Sequence, residues 1–261
     1  MTRKKNRIIL SIINNSFFNN QTKNLFLPLI YIKHSTFEFL NSDLVNNETG
    51  DGIVIESSKD VRVENSNFLN CPDPIEYSRV KGGKIINNNI YLSCDDGIDI
   101  NGSENIIIRN NIITAVFDKG ISIGNSNQIP AKNITIERNV MSFCDKGISL
   151  KGSIEADILN CTFYQDNIGV ECYEKDTGMG GGIAHIFNCI FSEVGEFSTI
   201  DDKSNVNFRY CLSTDNGIPG ENNIIGETHF VSSEPRDFHI GFNSNCIDSG
   251  DPESELDPDS T

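Results

Sequence analysis

Tryptophan is absent from these 261 residues, methionine occurs three times, and 21 Lys and Arg face 37 Asp and Glu. The scarcity of bulky apolar residues, with 37% hydrophobic content, excludes a wide globular core. A formal net charge of -16 argues against nucleic acid, whose recognition draws on clustered basic side chains. It suits a solvated surface or a cation site. No apolar run is long enough to span a membrane, so no membrane partner is expected. Residues 3–13, RKKNRIILSII, imitate a signal peptide but lead into NNSFFNN with no small-residue cleavage site; they read as a first strand. No Cys-x-x-Cys pair occurs. The glycine-rich stretch 174–182 lacks the following Lys-Ser/Thr of a phosphate loop. His34, His185, His229 and His239 have no metal-ligand spacing and read as surface residues.

What is abundant is asparagine before an apolar residue. Two small polar residues and then an apolar one end at Phe17, Leu44, Phe68, Ile90, Ile112, Val140, Phe163, Ile190 and Leu212. The successive intervals are 27, 24, 22, 22, 28, 23, 27 and 22 residues. Short alternating segments such as NIIIRNNII (105–113) and NITIERNVM (133–141) accompany them. A period in the low twenties built from strands is a solenoid, since one coil cannot bury its apolar face alone. The predicted fold is all-β: a single-stranded right-handed parallel β-helix of about nine coils, rungs about 4.8 Å apart. Residues 1–213 form the helix, 214–250 a terminal coil or cap, and 251–261, DPESELDPDST, a disordered tail. The eight cysteines fall mostly at equivalent repeat positions. Buried thiols and disulfides both satisfy that pattern.

Aligning the coils on the turn before each apolar pair stacks GDGIVI (50–55), PDPIEY (72–77), DDGIDI (95–100), DKGISI (118–123), DKGISL (145–150) and NIGVEC (167–172). One column then reads Asp51, Asp73, Asp96, Lys119, Lys146, Ile168; another reads Val54, Glu76, Asp99, Ser122, Ser149, Glu171. Asp73 and Asp96 come to lie one rung apart, where two like charges repel by about 3–4 kcal/mol at an effective dielectric near 20. A lysine, a raised pKa, solvation or a hard cation relieves this. Two arrangements remain open: an Asp–Lys ladder through Lys119, or a Ca²⁺ site at Asp73, Asp95, Asp96 and Asp99. Tyr77 and Tyr173 lie near this turn, as core or as rim of a sugar groove.

DDGIDINGSENIIIRNNIITAVFDKGISIG, with YEKDTGMGGGIAHIFNCIF, resembles the right-handed β-helix regions beside CotH-type kinase modules in secreted bacterial proteins, within the pectate-lyase-like superfamily. The segment DFHIGFNSNCIDSGDPESELDPDS is similar to the closing part of secreted bacterial β-helix proteins, which implies a secreted or cell-surface location and a longer parent product. The acidic turn also resembles that of family-nine polysaccharide lyases. That likeness implies Ca²⁺ at Asp73, Asp95, Asp96 and Asp99, and β-elimination on an acidic polysaccharide with a neutral lysine as base. The base position carries Ser122, and Lys119 is the nearby lysine. Polygalacturonases are similar in the same region, implying a role for Asp73, Asp95 and Asp96 with Lys151 binding sugar; their histidine is Lys119 here and their arginine is Ser149. The leading expectation is an extracellular β-helix that binds or cleaves acidic polysaccharide. A non-catalytic structural or adhesive module is the alternative.

Overall fold

The computed structural model describes residues 9–18, 27–47, 50–232 and 237–254. Among them the chain winds as a right-handed parallel β-helix in which each coil gives one strand to each of three sheets. The first sheet has nine strands, Ile9–Ile13 to Asn205–Arg209. The second has ten, from Ser16–Phe18, with Ile224–Ile225 as its last rung, and the third has eight, from Ile30–Lys33 to Glu196–Ile200. Every pairing within them is parallel, so inward residues pile into columns of like side chains. Ile53, Ile75, Ile98, Ile121 and Ile148 form one such column, each fully buried.

The corners explain the asparagines. Asn41, Asn65, Asn87, Asn110, Asn160 and Asn188 end first-sheet strands with φ between 49 and 57°. This left-handed conformation is one that Asn tolerates better than other side chains. The residue after each corner turns inward and accepts the backbone N–H of the coil before it. Ser42, Ser66, Asn88, Asn111 and Asn139 do so in succession. Within that column the Asn88 amide also donates to Asn111 Oδ1 at 3.0 Å, and the Asn111 amide to Asn139 Oδ1 at 2.9 Å. Cys161, Cys189 and Cys211 continue the stack, Cys189 Sγ accepting the Cys161 N–H at 3.3 Å. All eight cysteines are free thiols, with Cys94 exposed and Cys246 half-buried. A small buried thiol thus does at this corner what Ser and Asn do elsewhere.

The repeat residue does not occupy one column throughout. Phe17, Leu44, Phe68 and Ile90 stack inward, but the next rung is Ile113, followed by Met141, Phe163 and Phe191. Ile112 and Val140 lie in the adjacent, partly exposed column with Thr162 and Ile190. In 88–90 the ladder Asn is followed by a second Asn, whereas in 110–112 a corner Asn precedes it. The same three letters therefore sit one residue apart, on opposite faces.

Beyond Ser213 the chain folds back. Phe230–Ser232 and Asp237–Ile240 pair antiparallel, and Phe230 and Phe238 pack on Tyr164. Residues 251–254, expected within a disordered tail, form a turn whose Asp251 N–H donates to Asn188 Oδ1 at 2.8 Å. Residues 3–8 of the signal-like segment and 255–261 of the tail lie outside the described residues.

Candidate functional site

The third sheet carries the acidic turn at its entry, in the register expected. Ile98 pairs with Ile75 and Ile121, which sets Asp96 between Asp73 and Lys119. Asp73 Oδ1 accepts the Asp96 N–H at 2.8 Å, so its carboxylate caps the next rung. Asp99 stacks on Glu76 and Ser122, and Ser122 pairs with Ser149, which pairs with Glu171. Ser122 Oγ donates to Asp99 Oδ1 at 2.8 Å, and Ser149 Oγ to Glu171 Oε2 at 2.9 Å. Asn101 donates to the other Asp99 oxygen. The two serines, fully buried though they point outward, form the floor of this face.

Two lysines converge on Asp96. Lys119 Nζ is 3.3 Å from Asp96 Oδ1 and also bonds Asp118. Lys151 comes from two rungs away: its Nζ lies 4.0 Å from Asp96 Oδ2 and 3.7 Å from Asp99 Oδ1, with the residue only 6% exposed. Gly124 opens this path. A Cβ there would sit 3.1 Å from Lys151 Cε, so any side chain would crowd the lysine stem. Lys146 extends the ladder to Asp118, at 3.1 Å, and to Asp145. Tyr173 pairs with Lys151 and borders the face, while Tyr77 points inward as core, its hydroxyl donating to Lys84 O.

Charge is relieved differently at the two ends of the column. Burial and the Asp95 charge push Asp73 up to about 8, and burial with Asp99 pushes Glu76 up to about 7. There the like charges are relieved by protons. Asp96 is also raised, by burial and by Asp99, against the pull of Lys119 and Lys151. At the other end lysine does the work. Burial opposes the Lys119 charge, yet its bond to Asp118 and the Asp96 carboxylate outweigh this and hold it above the ordinary lysine range. Burial likewise opposes the Asp118 charge, and Lys119 and Lys146 hold that carboxyl below its usual range.

The sequence left open an Asp–Lys ladder or a cation held by Asp73, Asp95, Asp96 and Asp99; those four carboxylates do not gather at one point. Asp95 is exposed, Asp73 caps an amide, and Asp99 is engaged by Ser122 and Asn101. The acidic oxygens that do gather, within 4.8 Å of one another, belong to Asp95, Asp96 and Asp118. The Lys119 ammonium already bonds two of those three. A hard cation needing six to eight oxygens does not fit this set while that ammonium is in place. The residues missed from sequence are Asp118, Lys146 and Gly124. The first two stood in the aligned columns; Gly124 carried no signal until the Lys151 side chain was seen to cross it.

The sheets and this face define a right-handed parallel β-helix protein with a charged ladder on its third sheet. Residues 29–195 match the NosD family, described as periplasmic copper-binding protein, and the chain belongs to that family. Among solved structures it is similar to the periplasmic alginate epimerase AlgG, with 14% identity and a TM-score of 0.61 over 84% of this chain and 51% of that one. It is also similar to the Streptococcus pneumoniae surface protein and adhesin PfbA, with 12% identity and a TM-score of 0.58 over 80% of this chain and 70% of the adhesin. The chain thus spans about half the length of the epimerase. Comparison with curated protein sequences finds no match.

Proposed function

We propose that the chain is a secreted or cell-surface protein that binds and cleaves an acidic polysaccharide on the outer face of its third sheet, with Asp96 as the proton-transfer group. The observation that carries this reading is the Asp96 carboxyl itself. It is 6% exposed, stands between the Lys119 and Lys151 ammonium groups, and is raised above the ordinary carboxylate range. A carboxyl whose burial favours its neutral form is suited to protonate a departing glycosidic oxygen. Lys151 and Lys119 hold Asp96 in place and offer positive charge to a sugar carboxylate. Ser122 and Ser149 keep the floor flat enough for a sugar ring.

This assignment favours hydrolysis over the β-elimination implied by the lyase resemblance. Elimination needs a neutral base at the sugar C5 proton, and Lys119 is held charged by its bond to Asp118. Copper, named in the family description, has no part in this reading: the only gathered acidic, His or Cys set among the described residues is the all-oxygen Asp95, Asp96 and Asp118, whereas copper favours imidazole and sulfur.

The test is incubation with polygalacturonate, alginate and neutral glucans, with and without EDTA, following reducing ends and ultraviolet absorbance together. New reducing ends without ultraviolet-absorbing product, unaffected by EDTA, are expected from an acidic polymer. Unsaturated product would restore elimination. Binding without any cleavage would instead make the chain the non-catalytic adhesive module.

A further inference from the structure

In a chain of net charge -16, one corner reverses the sign. Where the third sheet turns into the first, Lys59, Lys81, Glu104 and Lys132 stack in one column. Arg79 occupies the turn just before Lys81, with φ 55°. Between these side chains and the loop 124–131 lies a cavity of about 310 Å³. Glu104, 3.0 Å from Lys81 Nζ, is the carboxylate that lines it, and Arg79 is paired with Glu56 just outside the lining. Four cations thus line the cavity with one carboxylate, and Lys59 and Lys132 are solvent-exposed.

The far wall is built in advance. Ser126 and Ile129 bridge antiparallel through two backbone hydrogen bonds of 2.9 and 3.0 Å. Asn127 and Gln128 between them have φ of 48 and 64°, as a tight primed turn requires. The turn rests on Gly102, where a Cβ would meet Ser126 Cβ at 2.7 Å. Arg79 fastens it from below, donating from Nη1 to Ser126 Oγ and from Nε to Ser57 Oγ, each at 3.3 Å. Ile129, 50% exposed, and Pro130 thereby present an apolar wall opposite the lysines.

We infer that this corner pocket is a binding subsite for a carboxylated sugar. The apolar wall suits the C–H face of a pyranose ring, the lysines its carboxylate, and the serine hydroxyls its ring hydroxyls. Asp96 and Gly102 flank opposite ends of the strand Ile98–Asn101, about 20 Å apart at the rise of an extended chain. A polymer several sugars long reaches both. The inference rests on the glycan reading of this sheet but not on the chemistry assigned to Asp96.

The experiment is calorimetric titration of the full chain with three short probes: an oligogalacturonate, a sulfated oligosaccharide of matched length and a neutral maltodextrin. The wild type should bind the oligogalacturonate, with an affinity that falls as salt rises. The exposed pair Lys59→Glu/Lys132→Glu should weaken it about tenfold or more with an unchanged melting temperature. Ile129→Asp should weaken it independently. Retained affinity in the folded lysine pair variant would overturn the subsite, as would equal binding of maltodextrin or no binding of the oligogalacturonate. Preference for the sulfated probe would overturn the carboxylate assignment. Absence of cleavage by the wild type with this binding intact would overturn only the chemistry assigned to Asp96.

Discussion

Asp166 gives the sharpest stability prediction. It points into the core in the column of Cys144 and Val194 and is 1% exposed. Its Oδ1 accepts the Cys144 N–H at 2.7 Å, while Oδ2 has no hydrogen-bond partner. Burial pushes this carboxyl up to about 8. The folded chain therefore keeps a proton that the unfolded chain releases near pH 4. With more protons bound in the folded state, stability falls as pH rises, at about 1.4 kcal/mol per unit, between the unfolded and folded pKa values. The contribution is complete below about pH 4 and lost by about pH 8, amounting to several kcal/mol against a typical total of about 5–15. Asp166→Asn keeps the acceptor for Cys144 and removes the titration. Urea unfolding at pH 5, 6.5 and 8 should show the variant gaining on the wild type as pH rises. Asp73 and Glu76, also raised, add a slope of the same sign to both proteins, so the difference between the two isolates Asp166. An equal difference at pH 5 and pH 8 would refute the buried proton.

Asn111→Ala removes an acceptor for the Asn88 N–H and amide and a donor to Ile85 O and Asn139 Oδ1, all buried, so urea unfolding should register a loss on the order of 3–5 kcal/mol. A loss below about 1 kcal/mol would mean that the corner ladder is not a source of stability. Ca²⁺ should leave the wild-type melting temperature unchanged in thermal scans, because Lys119 already bridges Asp96 and Asp118; Lys119→Gln should make it rise with Ca²⁺. Gly124→Val should lower turnover by about tenfold or more with little change in melting temperature, since it displaces the Lys151 ammonium from Asp96 and Asp99.

The third-sheet register was readable because Gly-Ile pairs recur in DDGIDI, DKGISI and DKGISL and pin each coil to the next. Asp73, Asp96 and Lys119 accordingly fall on consecutive rungs. The second-sheet register was not, because a corner Asn and a ladder Asn are the same letter. Only backbone conformation separates Asn110, at φ 54°, from the buried Asn111. Asp166 was hidden for a related reason: in QDNIG an aspartate reads as a solvated turn, and its burial shows only once Val116, Cys144 and Val194 are seen in its column. The reach of Lys151 across two rungs depends on side-chain path rather than column order, so alignment alone assigned it no partner. The gathering of Asp118 with Asp95 and Asp96 joins two neighbouring rungs at the turn, which column-by-column alignment does not bring out.

The account is tested most directly by Asp96→Asn, assayed on whichever acidic polymer the wild type cleaves, with polymer binding measured on the same samples. Asparagine preserves shape and hydrogen bonding but carries no transferable proton. Cleavage should fall by about a hundredfold or more while binding persists. Undiminished cleavage by the folded variant would remove Asp96 from the chemistry and contradict the proposed site.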